Sequence, residues 1–413
     1  MKMKSMLKRP MTTAWLAVGL LLIAGAADAK VHRVRPGQSI QAAIDRASPG
    51  DTILVEPGTY QETQNTRYGL RISTPNLRLI GKARAGRGHG AGHRHGRGPG
   101  DRGPEAKVRL LHTGSQETGI YAAPAGCEYR DTSCPDELDG FYIRGFSVEG
   151  FPQNGIQTRW VDGFRFVNNE SIDNLNNGIY PTLSANGLVM RNVSYGSLDT
   201  AMWVAGSENV RVVGNEVFGS PIGLEISVSN DVKVWHNDIH DNTVGVGLFH
   251  PNAAGNPPRP VMTDWVIAHN RIHDNNLPNP APPGSFQAGV PAGVGVLLLG
   301  VSDHEIRDNR IEGHDFVGIG VLGWCTATSL GDPSRNCEND PPIADPSANR
   351  NLVTGNALAN NGANPPPIGL PGVDILYVQT PPFEPGVGNC FEDNGAITFF
   401  SSEPDGELPT DGC

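Results

Sequence analysis

A repeat of 22 to 23 residues runs through the middle of the sequence and restricts the folds available to it. In each repeat a small residue followed by an apolar one opens a short segment. These pairs are Gly155-Ile156, Gly178-Ile179, Ala201-Met202, Gly223-Leu224 and Gly245-Val246. A unit this short cannot bury its own apolar face, whereas a stack of units encloses a continuous core. The repeat therefore predicts a solenoid.

A second signature in each repeat favours strands over helices. It reads Val210-x-Val212-x-x-Asn215-x-Val217 and, one repeat later, Val232-x-Val234-x-x-Asn237-x-Ile239. Alternating apolar residues are typical of a strand with one buried face. Leucine-rich repeats have a similar length but need leucine at fixed positions, which this sequence lacks. We expect an all-β solenoid of short parallel strands.

Asparagine recurs near the end of these strands. The positions are Asn169, Asn192, Asn215, Asn237, Asn270, Asn309 and Asn356. Stacked side-chain amides can hydrogen-bond one coil to the next and tolerate left-handed backbone geometry, so we predict a structural role. The spacing widens after Asn237 because segments 250–260 and 276–292, rich in Pro, Asn and Gly, interrupt the repeat. We expect both segments to be inserted loops, where binding sites usually lie.

Residues 1–29 are typical of a secretory signal, with basic residues, an apolar run from Ala14 to Ala26 and a small-residue site at 27–29. An uncleaved anchor is the alternative. We expect a single mature domain, 30–413, that is secreted or periplasmic and has no membrane contact. Its six cysteines favour disulfides in an oxidising compartment. The simplest pairing is Cys127–Cys134, Cys325–Cys337 and Cys390–Cys413.

The mature chain is strongly acidic. Without the leader it has 28 Lys and Arg against 42 Asp and Glu, a net charge of −14. This balance argues against a nucleic-acid partner. It also disfavours a bulk attraction to acidic polysaccharides, although a local basic patch or a bridging cation could still bind them. We expect a monomer.

Residues 38–60, QSIQAAIDRASPGDTILVEPGTY, resemble the first segment of the pectin-lyase-like right-handed β-helix superfamily. Ser39 can cap a short helix whose Ile40 and Ile44 share one face and cover the open end of the first coil. The resemblance implies a right-handed parallel β-helix with an N-terminal capping helix. The superfamily includes polysaccharide lyases, epimerases, hydrolases and nitrous-oxide-reductase-type accessory proteins, so the fold does not define the chemistry. The Asp-Pro-His-Asp signature associated with alginate epimerases is absent.

Aligning the coils places outward side chains in rows about 4.8 Å apart. Exposed aromatic rings beside a carboxylate and a cation suit sugar rings. The alternative is an aromatic ladder that stabilises the sheet or lies under a loop. We expect Gln157, Trp203, Glu225 and Asp199 to bind substrate. The two rows read Gln157, Tyr180, Trp203, Glu225, Gly247 and Arg159, Thr182, Ala205, Ser227, Phe249.

Two chemistries are open to a glycan on this face. For β-elimination on a uronic-acid polymer, Arg159 would neutralise the carboxylate, and Tyr180 and His250 would carry protons. A hydrolase needs two carboxyl groups about 5 to 9.5 Å apart. Asp199 and Glu225 are candidates, but strand geometry separates their backbones by roughly 14 Å. The sequence therefore favours a lyase or epimerase over a hydrolase.

Two histidine-rich segments hint at a divalent metal. HNDIHDN (236–242) and HNRIHDN (269–275) would place His240 over His273 and Asp241 over Asp274, where stacked side chains could bind Zn²⁺ or Cu²⁺. Repetition of a turn sequence is the alternative explanation. A Gly-, His- and Arg-rich tract at 83–104, with His89, His93 and His95, predicts a further inserted loop that is more often a solvated linker than a metal site.

Three functional hypotheses follow from the sequence. The first is an exported carbohydrate-active protein that binds, and cleaves or epimerises, an acidic polysaccharide. The second is a non-catalytic glycan-binding or surface protein that uses the same face. The third is a periplasmic metal-handling accessory protein centred on His240 and His273.

Overall fold

The computed structural model describes residues 29–82, 107–131, 133–249, 262–331, 337–338, 345–395 and 397–413. The predicted leader, except for its last residue, lies outside the described residues, as do the predicted loops at 83–104 and 250–260 and the candidate His250. The expectations made for those segments, and the domain boundaries drawn from them, stay predictions. Within the described ranges, no helix has the length and hydropathy needed to cross a bilayer.

The described residues form three parallel sheets of twelve, eleven and ten strands. From Thr52 to Val378, successive strands join the twelve-strand, ten-strand and eleven-strand sheets in turn, so each turn of the chain adds one strand to each sheet. This arrangement is a parallel β-helix and confirms the predicted fold class.

The strand bounds follow for each sheet. The twelve-strand sheet contains Val31–Val34, Thr52–Val55, Leu77–Gly81, Leu138–Arg144, Val161–Val167, Ala185–Met190, Glu208–Val213, Asn230–Trp235, Val266–Ala268, Glu305–Arg307, Leu352–Thr354 and Cys390–Glu392. The eleven-strand sheet contains Tyr68–Ile72, Thr118–Ala122, Ile156–Arg159, Asn177–Thr182, Thr200–Ala205, Ile222–Ser227, Val244–Phe249, Val294–Leu299, Val317–Leu322, Val373–Val378 and Phe399–Ser401. The ten-strand sheet contains Gly58–Tyr60, Val108–Leu111, Phe146–Glu149, Glu170–Ile172, Val193–Tyr195, Glu216–Phe218, Asp238–His240, Arg271–His273, Arg310–Glu312 and Ala357–Ala359.

Helices cap or cross the solenoid at three places in the described chain: α1 (Ile40–Ile44), α2 (Trp324–Gly331) and a short 3-10 helix, Gln287–Gly289. The Ser39 hydroxyl accepts a hydrogen bond from the Ala42 N–H at 3.0 Å, which confirms the predicted cap of α1. Glu384 accepts the Cys325 N–H at 2.7 Å and so caps the N-terminal end of α2. The three predicted disulfides are all present.

The coils stack in the register that the repeat predicts. Ile156 pairs with Ile179, Met202 with Leu224, and Leu224 with Val246. All five side chains of this column, including that of Met202, are fully buried. Because side chains alternate across a strand, a slip of one residue would turn this apolar column to the outside, so burial fixes the register.

The predicted asparagine column is a continuous hydrogen-bonded ladder. Asn237 shows the pattern: its Oδ1 accepts the Asn215 N–H at 2.8 Å, and its Nδ2 donates to the Val212 carbonyl at 3.0 Å and to Asn270 Oδ1 at 2.9 Å. The left-handed residue lies one position earlier, as in His236 with φ 56°. The structural role predicted for these amides is confirmed, with the backbone strain carried by the preceding residue.

At two other turns of the coil, buried histidines occupy positions that neighbouring coils fill with asparagine. His304 Nδ1 accepts the Trp265 N–H at 3.4 Å, and His314 Nδ1 accepts the Asn275 N–H at 3.3 Å. Both accept through a lone pair, so the bonds require neutral rings. Burial lowers the pKa of His304 to about 3 and that of His314 to about 4.

These two histidines predict a loss of stability in acid. An unfolded chain protonates both rings below a pH of about 6.5. The folded chain keeps them neutral down to pH 4 or below. The free energy of unfolding should fall as pH decreases through this range, by up to about 1.4 kcal/mol per pH unit for each histidine. His304→Asn combined with His314→Asn should flatten this dependence in chemical unfolding at pH 7 and pH 5. An unchanged dependence would contradict the assignment.

Candidate functional site

The predicted outward row exists on the eleven-strand sheet. Gln157 pairs with Tyr180, and Trp203 pairs with Glu225. The Tyr180 and Trp203 rings are stacked, with centroids 4.6 Å apart and planes 12° apart. The Trp203 indole donates to the Ser227 hydroxyl at 2.8 Å. The sequence therefore predicts these neighbours correctly. The second row, from Arg159 to Phe249, also pairs in the predicted order.

The expectation that this row is exposed is wrong. Tyr180 is 4%, Trp203 7% and Glu225 2% exposed. The side chains point away from the helix core, but other parts of the chain cover them. Met262 packs against the Tyr180–Trp203 pair, and Gln287 of the predicted loop 276–292 hydrogen-bonds Asp199. Tyr180 and Trp203 therefore form a covered aromatic ladder, which is the alternative to an exposed sugar-binding row.

Arg159 is not placed to neutralise a substrate carboxylate. Its Nε donates to the Asp131 carbonyl at 3.0 Å, its Nη2 donates to the same oxygen, and the residue is 5% exposed. Asp131 belongs to the segment closed by the disulfide Cys127–Cys134. The lyase role predicted for Arg159 therefore lacks a free cation, because the guanidinium binds a backbone oxygen.

The row extends further towards the N-terminus than the sequence indicated. Arg71 pairs with Tyr121, and Tyr121 pairs with Gln157. Arg71 donates to the carbonyls of Ala123 and Pro124 and lies 5.1 Å from the Tyr121 ring centre. Gln157 follows Tyr121 by 36 residues and Tyr121 follows Arg71 by 50, so counting in steps of 22 to 23 residues misses both side chains.

A single hydroxyl connects the two candidate carboxylates. Thr200 Oγ1 donates to Glu225 Oε2 at 2.9 Å and lies 3.3 Å from Asp199 Oδ1. The two carboxylate oxygens cannot be farther apart than the sum of these lengths. The sequence estimate of roughly 14 Å concerns the two backbones and does not limit how close the two carboxyl groups come.

Burial perturbs both acids in the same direction. Desolvation raises the pKa of Asp199 to about 7, although hydrogen bonds from Thr200 and Gln287 act the other way. Desolvation, with the nearby charge of Asp199, raises the pKa of Glu225 well above its usual range. The pair therefore holds a proton at a higher pH than solvated carboxyl groups do. Adjacent acids with raised pKa values are a common acid–base arrangement in active sites.

Buried polar atoms without partners lie on the strand that carries Tyr180 and on the neighbouring strand Ile156–Arg159. The Asn177 amide donates to Asn154 Oδ1 at 3.1 Å, and Asn154 donates to Gln157 Oε1 at 3.0 Å. Among the described residues, buried Gln157 Nε2, Asn177 Oδ1 and Thr182 Oγ1 have no hydrogen-bond partner. Each such atom costs about 1 to 3 kcal/mol when left unsatisfied. These atoms are closed to solvent, so a ligand can reach them only if the residues that cover them move.

Both predicted histidine pairs stack: His236 with His269, just after strands of the twelve-strand sheet, and His240 with His273, at the ends of strands of the ten-strand sheet. The His240 and His273 rings lie 5.0 Å apart, and His240 also stacks on Phe218. Each ring has a carboxylate at both nitrogens: Asp241 and Glu216 for His240, and Asp274 and Asp238 for His273. Because the two rings are stacked and roughly parallel, stacking alone does not point their nitrogen lone pairs at one metal ion.

The turn geometry accounts for much of the histidine repeat. Asp241 and Asp274 are left-handed residues, with φ of 51° and 52°, directly before the stacked amides Asn242 and Asn275. In the described part of the chain, three or more potential ligands converge only at Cys325, Cys337, Glu384 and at Cys390, Glu392, Cys413. Both sets contain a disulfide, which leaves no thiolate to bind a metal. Metal binding by His240, His273, Asp241 and Asp274 stays a prediction.

Comparison with known proteins agrees with this architecture. A family model described as the right handed beta helix region matches residues 117–250 and 154–332. The two matches together span more than half of the chain. The chain belongs to the right-handed β-helix family. A search among curated proteins finds no match.

Solved structures show the same fold at low sequence identity. The A-module of mannuronan C-5 epimerase AlgE4 from Azotobacter vinelandii has a TM-score of 0.51 and 13% identity, over 86% of this chain and 90% of that chain. DFA-IIIase from Arthrobacter chlorophenolicus A6 in complex with DFA-III has a TM-score of 0.51 and 14% identity, over 93% and 86%. At such identities the likeness concerns the fold of the right-handed β-helix.

The carboxylate pair predicts a loss of stability at high pH. Carboxyls whose folded pKa is raised bind protons more tightly when folded, so stability falls as pH rises from about 4 through the folded pKa, by up to about 1.4 kcal/mol per pH unit for each group. Asp199→Asn should therefore reduce the stability difference between pH 5 and pH 8 in thermal unfolding. The partly exposed Asp231, which pairs with Lys233, supplies the control Asp231→Asn. Equal effects of the two substitutions would contradict the perturbed pair.

Proposed function

We propose that this right-handed β-helix protein is a carbohydrate-active enzyme that hydrolyses a glycosidic bond with Asp199 and Glu225. The observation that carries the proposal is the shared Thr200 hydroxyl, which holds two carboxylates of raised pKa at short range. Hydrolysis uses one protonated and one ionised carboxyl group on either side of the scissile bond. Sequence spacing alone ranks this chemistry below elimination, and the side-chain geometry reverses that order.

We assign the roles of the two acids from their burial. Glu225 is almost fully buried, and desolvation and the neighbouring Asp199 charge raise its pKa, so we assign it as the general acid that protonates the leaving oxygen. Asp199 ionises at a pH of about 7 and is the nucleophile or base at the anomeric carbon. Their short separation favours the retaining arrangement, in which the carboxyl groups lie about 5 to 5.5 Å apart.

The surroundings supply the binding contacts. A sugar ring can stack on Tyr180 and Trp203 once the residues that cover them, Met262 among them, move aside. The buried unpaired atoms of Gln157, Asn177 and Thr182 would then be open to its hydroxyls. Gln287 contacts Asp199 from segment 276–292, so a substrate has to displace this contact to reach the pair. The mannuronan epimerase among the structural neighbours is consistent with carbohydrate chemistry on this fold.

The substrate that best fits the site is a neutral glycan. Elimination or epimerisation of an acidic polysaccharide needs a cation opposite the uronate carboxyl group. Arg71 and Arg159, which flank the row, both donate to backbone carbonyls. Two carboxyl groups without a free cation would repel a uronate once Asp199 ionises, which places the lyase roles of Arg159, Tyr180 and His250 second.

Hydrolysis by this pair predicts specific losses in two variants. Asp199→Asn and Glu225→Gln should each lower kcat by about 10² to 10⁴, because each removes one acid–base group. The assay follows new reducing ends from a panel of neutral glycans, with absorbance of unsaturated uronides measured on alginate and pectate in parallel. Wild-type protein should release reducing ends from at least one neutral glycan.

The control for these variants is Glu407→Gln, which changes an exposed carboxylate far along the chain. It should retain wild-type activity. Unsaturated products from a uronide would favour the lyase hypothesis instead. Binding of glycans without turnover by wild-type protein would favour the non-catalytic one.

A further inference from the structure

The later strands of the eleven-strand sheet are apolar on both faces. In the strand Val294–Leu299, Val296 and Leu298 belong to the core of the solenoid. Leu297, between them, belongs to a second apolar cluster together with Trp324. A strand with two apolar faces has to be covered on both. This sequence therefore requires an apolar layer outside the sheet, in addition to the solenoid core.

The cover on the outer face leaves a cavity of about 780 Å³. Its walls are the segment around Phe286, helix α2 and the segment around Ile368. Six of its lining side chains are Val290, Leu297, Leu322, Trp324, Ile368 and Leu376. Small-molecule sites have volumes of about 300 to 1,000 Å³, so the space has the size of such a site.

This cavity is separate from the carboxylate pair. Its lining contains neither Asp199 nor Glu225. In the outward row Glu225 is followed by Gly247 and then by Leu297, and the fully buried Phe249 ring lies over Gly247. That ring stands between the acids and the cavity, so the cavity needs an explanation of its own.

The lining favours a ligand without charge. None of the described residues that line the cavity is charged, and its polar side-chain groups are the hydroxyls of Ser285 and Thr328 and the Trp324 indole. The Ser285 hydroxyl donates to the Pro282 carbonyl at 2.8 Å, and the Thr328 hydroxyl donates to the Cys325 carbonyl at 3.0 Å. Both hydroxyl protons are thus bound within the chain. A charged ligand would lose its hydration here and gain no opposite charge.

Two parallel rings at the cavity favour an aromatic ligand. Phe286 and Trp324 both line the space, with ring centroids 6.0 Å apart and planes 7° apart. Aromatic rings attract one another beyond the area that they bury, and they prefer offset-stacked or edge-to-face contacts. A planar ligand ring therefore gains more from this wall than an aliphatic group of the same area.

The rim favours a small molecule over a protein partner. Among the described lining residues, Phe286 and Leu330 are the large apolar side chains that stay exposed, at 37% and 36%. A stable protein interface buries about 800 Å² of each partner. Two exposed side chains supply a small part of that area, whereas a molecule that enters the cavity reaches the buried floor at Leu297 and Leu376.

We infer that this cavity binds an uncharged apolar small molecule that contains an aromatic ring. The ring lies against Phe286 and Trp324, and the rest of the molecule covers the apolar floor. The ligand completes the outer layer that the two-faced strands require, so its binding stabilises the folded chain. This second site goes beyond the proposed hydrolysis and does not depend on it.

The test measures binding of the uncharged fluorescent dye N-phenyl-1-naphthylamine to the purified protein, and then its displacement by two compounds that share one ring system. At pH 7, 2-naphthol is uncharged, whereas 2-naphthalenesulfonate carries a negative charge. We expect 2-naphthol to displace the dye at concentrations about tenfold lower than the sulfonate. At equal concentration, 2-naphthol should also raise the Tm more than the sulfonate does.

Three substitutions connect this binding with the cavity. Ala327→Phe places a ring in the cavity from α2 and should weaken dye binding about tenfold. Ser329→Phe adds the same ring to the same helix outside the lining, and should bind as wild type. Phe286→Ala removes one of the two parallel rings at the exposed rim, and should weaken 2-naphthol binding about threefold to tenfold. Circular dichroism checks that each variant folds, and Phe286→Ala carries the test if Ala327→Phe does not.

Several results would overturn the inference. They are no dye binding by wild-type protein, displacement by the sulfonate as effective as by 2-naphthol, and wild-type affinity in the folded Ala327→Phe and Phe286→Ala variants. A wild-type dimer in light scattering that Ala327→Phe dissociates would also overturn it, because a second copy would then cover the rim. The reducing-end assay judges the carboxylate pair separately, because neither acid lines this cavity.

Discussion

The in-register stacking of coils, held by buried amides, is the constraint on which the rest of the structure depends. The ladder asparagines bond the backbone and the side-chain amides of neighbouring coils, as Asn237 does with Asn215, Val212 and Asn270. A buried amide left without these partners would cost about 1 to 3 kcal/mol, so the ladder favours one register over others. Side chains far apart in sequence therefore become neighbours at fixed spacing.

The candidate site follows from that spacing combined with burial. Trp203 and Glu225 are neighbours because their coils stack, and Glu225 reaches Thr200 across the same pair of strands. The covering segment brings Gln287 to Asp199, which is partly buried, while Glu225 is almost fully buried. Desolvation then raises the pKa values of both acids above those of surface carboxyl groups. The fold therefore determines which acids are neighbours, and their burial raises the pKa values on which the proposed chemistry depends.

The sequence predicts the periodic features and misses those that depend on side-chain reach or on non-repeating segments. The column from Ile156 to Val246, the amide ladder, the cap at Ser39 and the disulfides all follow from spacing or composition. The Asp199–Thr200–Glu225 contact does not, because a backbone estimate ignores how far the two acids extend. The burial of Trp203 and the carbonyl contact of Arg159 depend on segments outside the repeat, whose path no periodicity specifies.

The most direct test of the account is a ¹³C NMR titration of the side-chain carboxyl carbons of Asp199 and Glu225 in the mature protein. We expect Asp199 to titrate near pH 7, Glu225 to titrate well above the usual range of a glutamate, and each carbon to sense the other's transition. Two independent titrations near pH 4 would show solvated, uncoupled acids, and would contradict the catalytic pair.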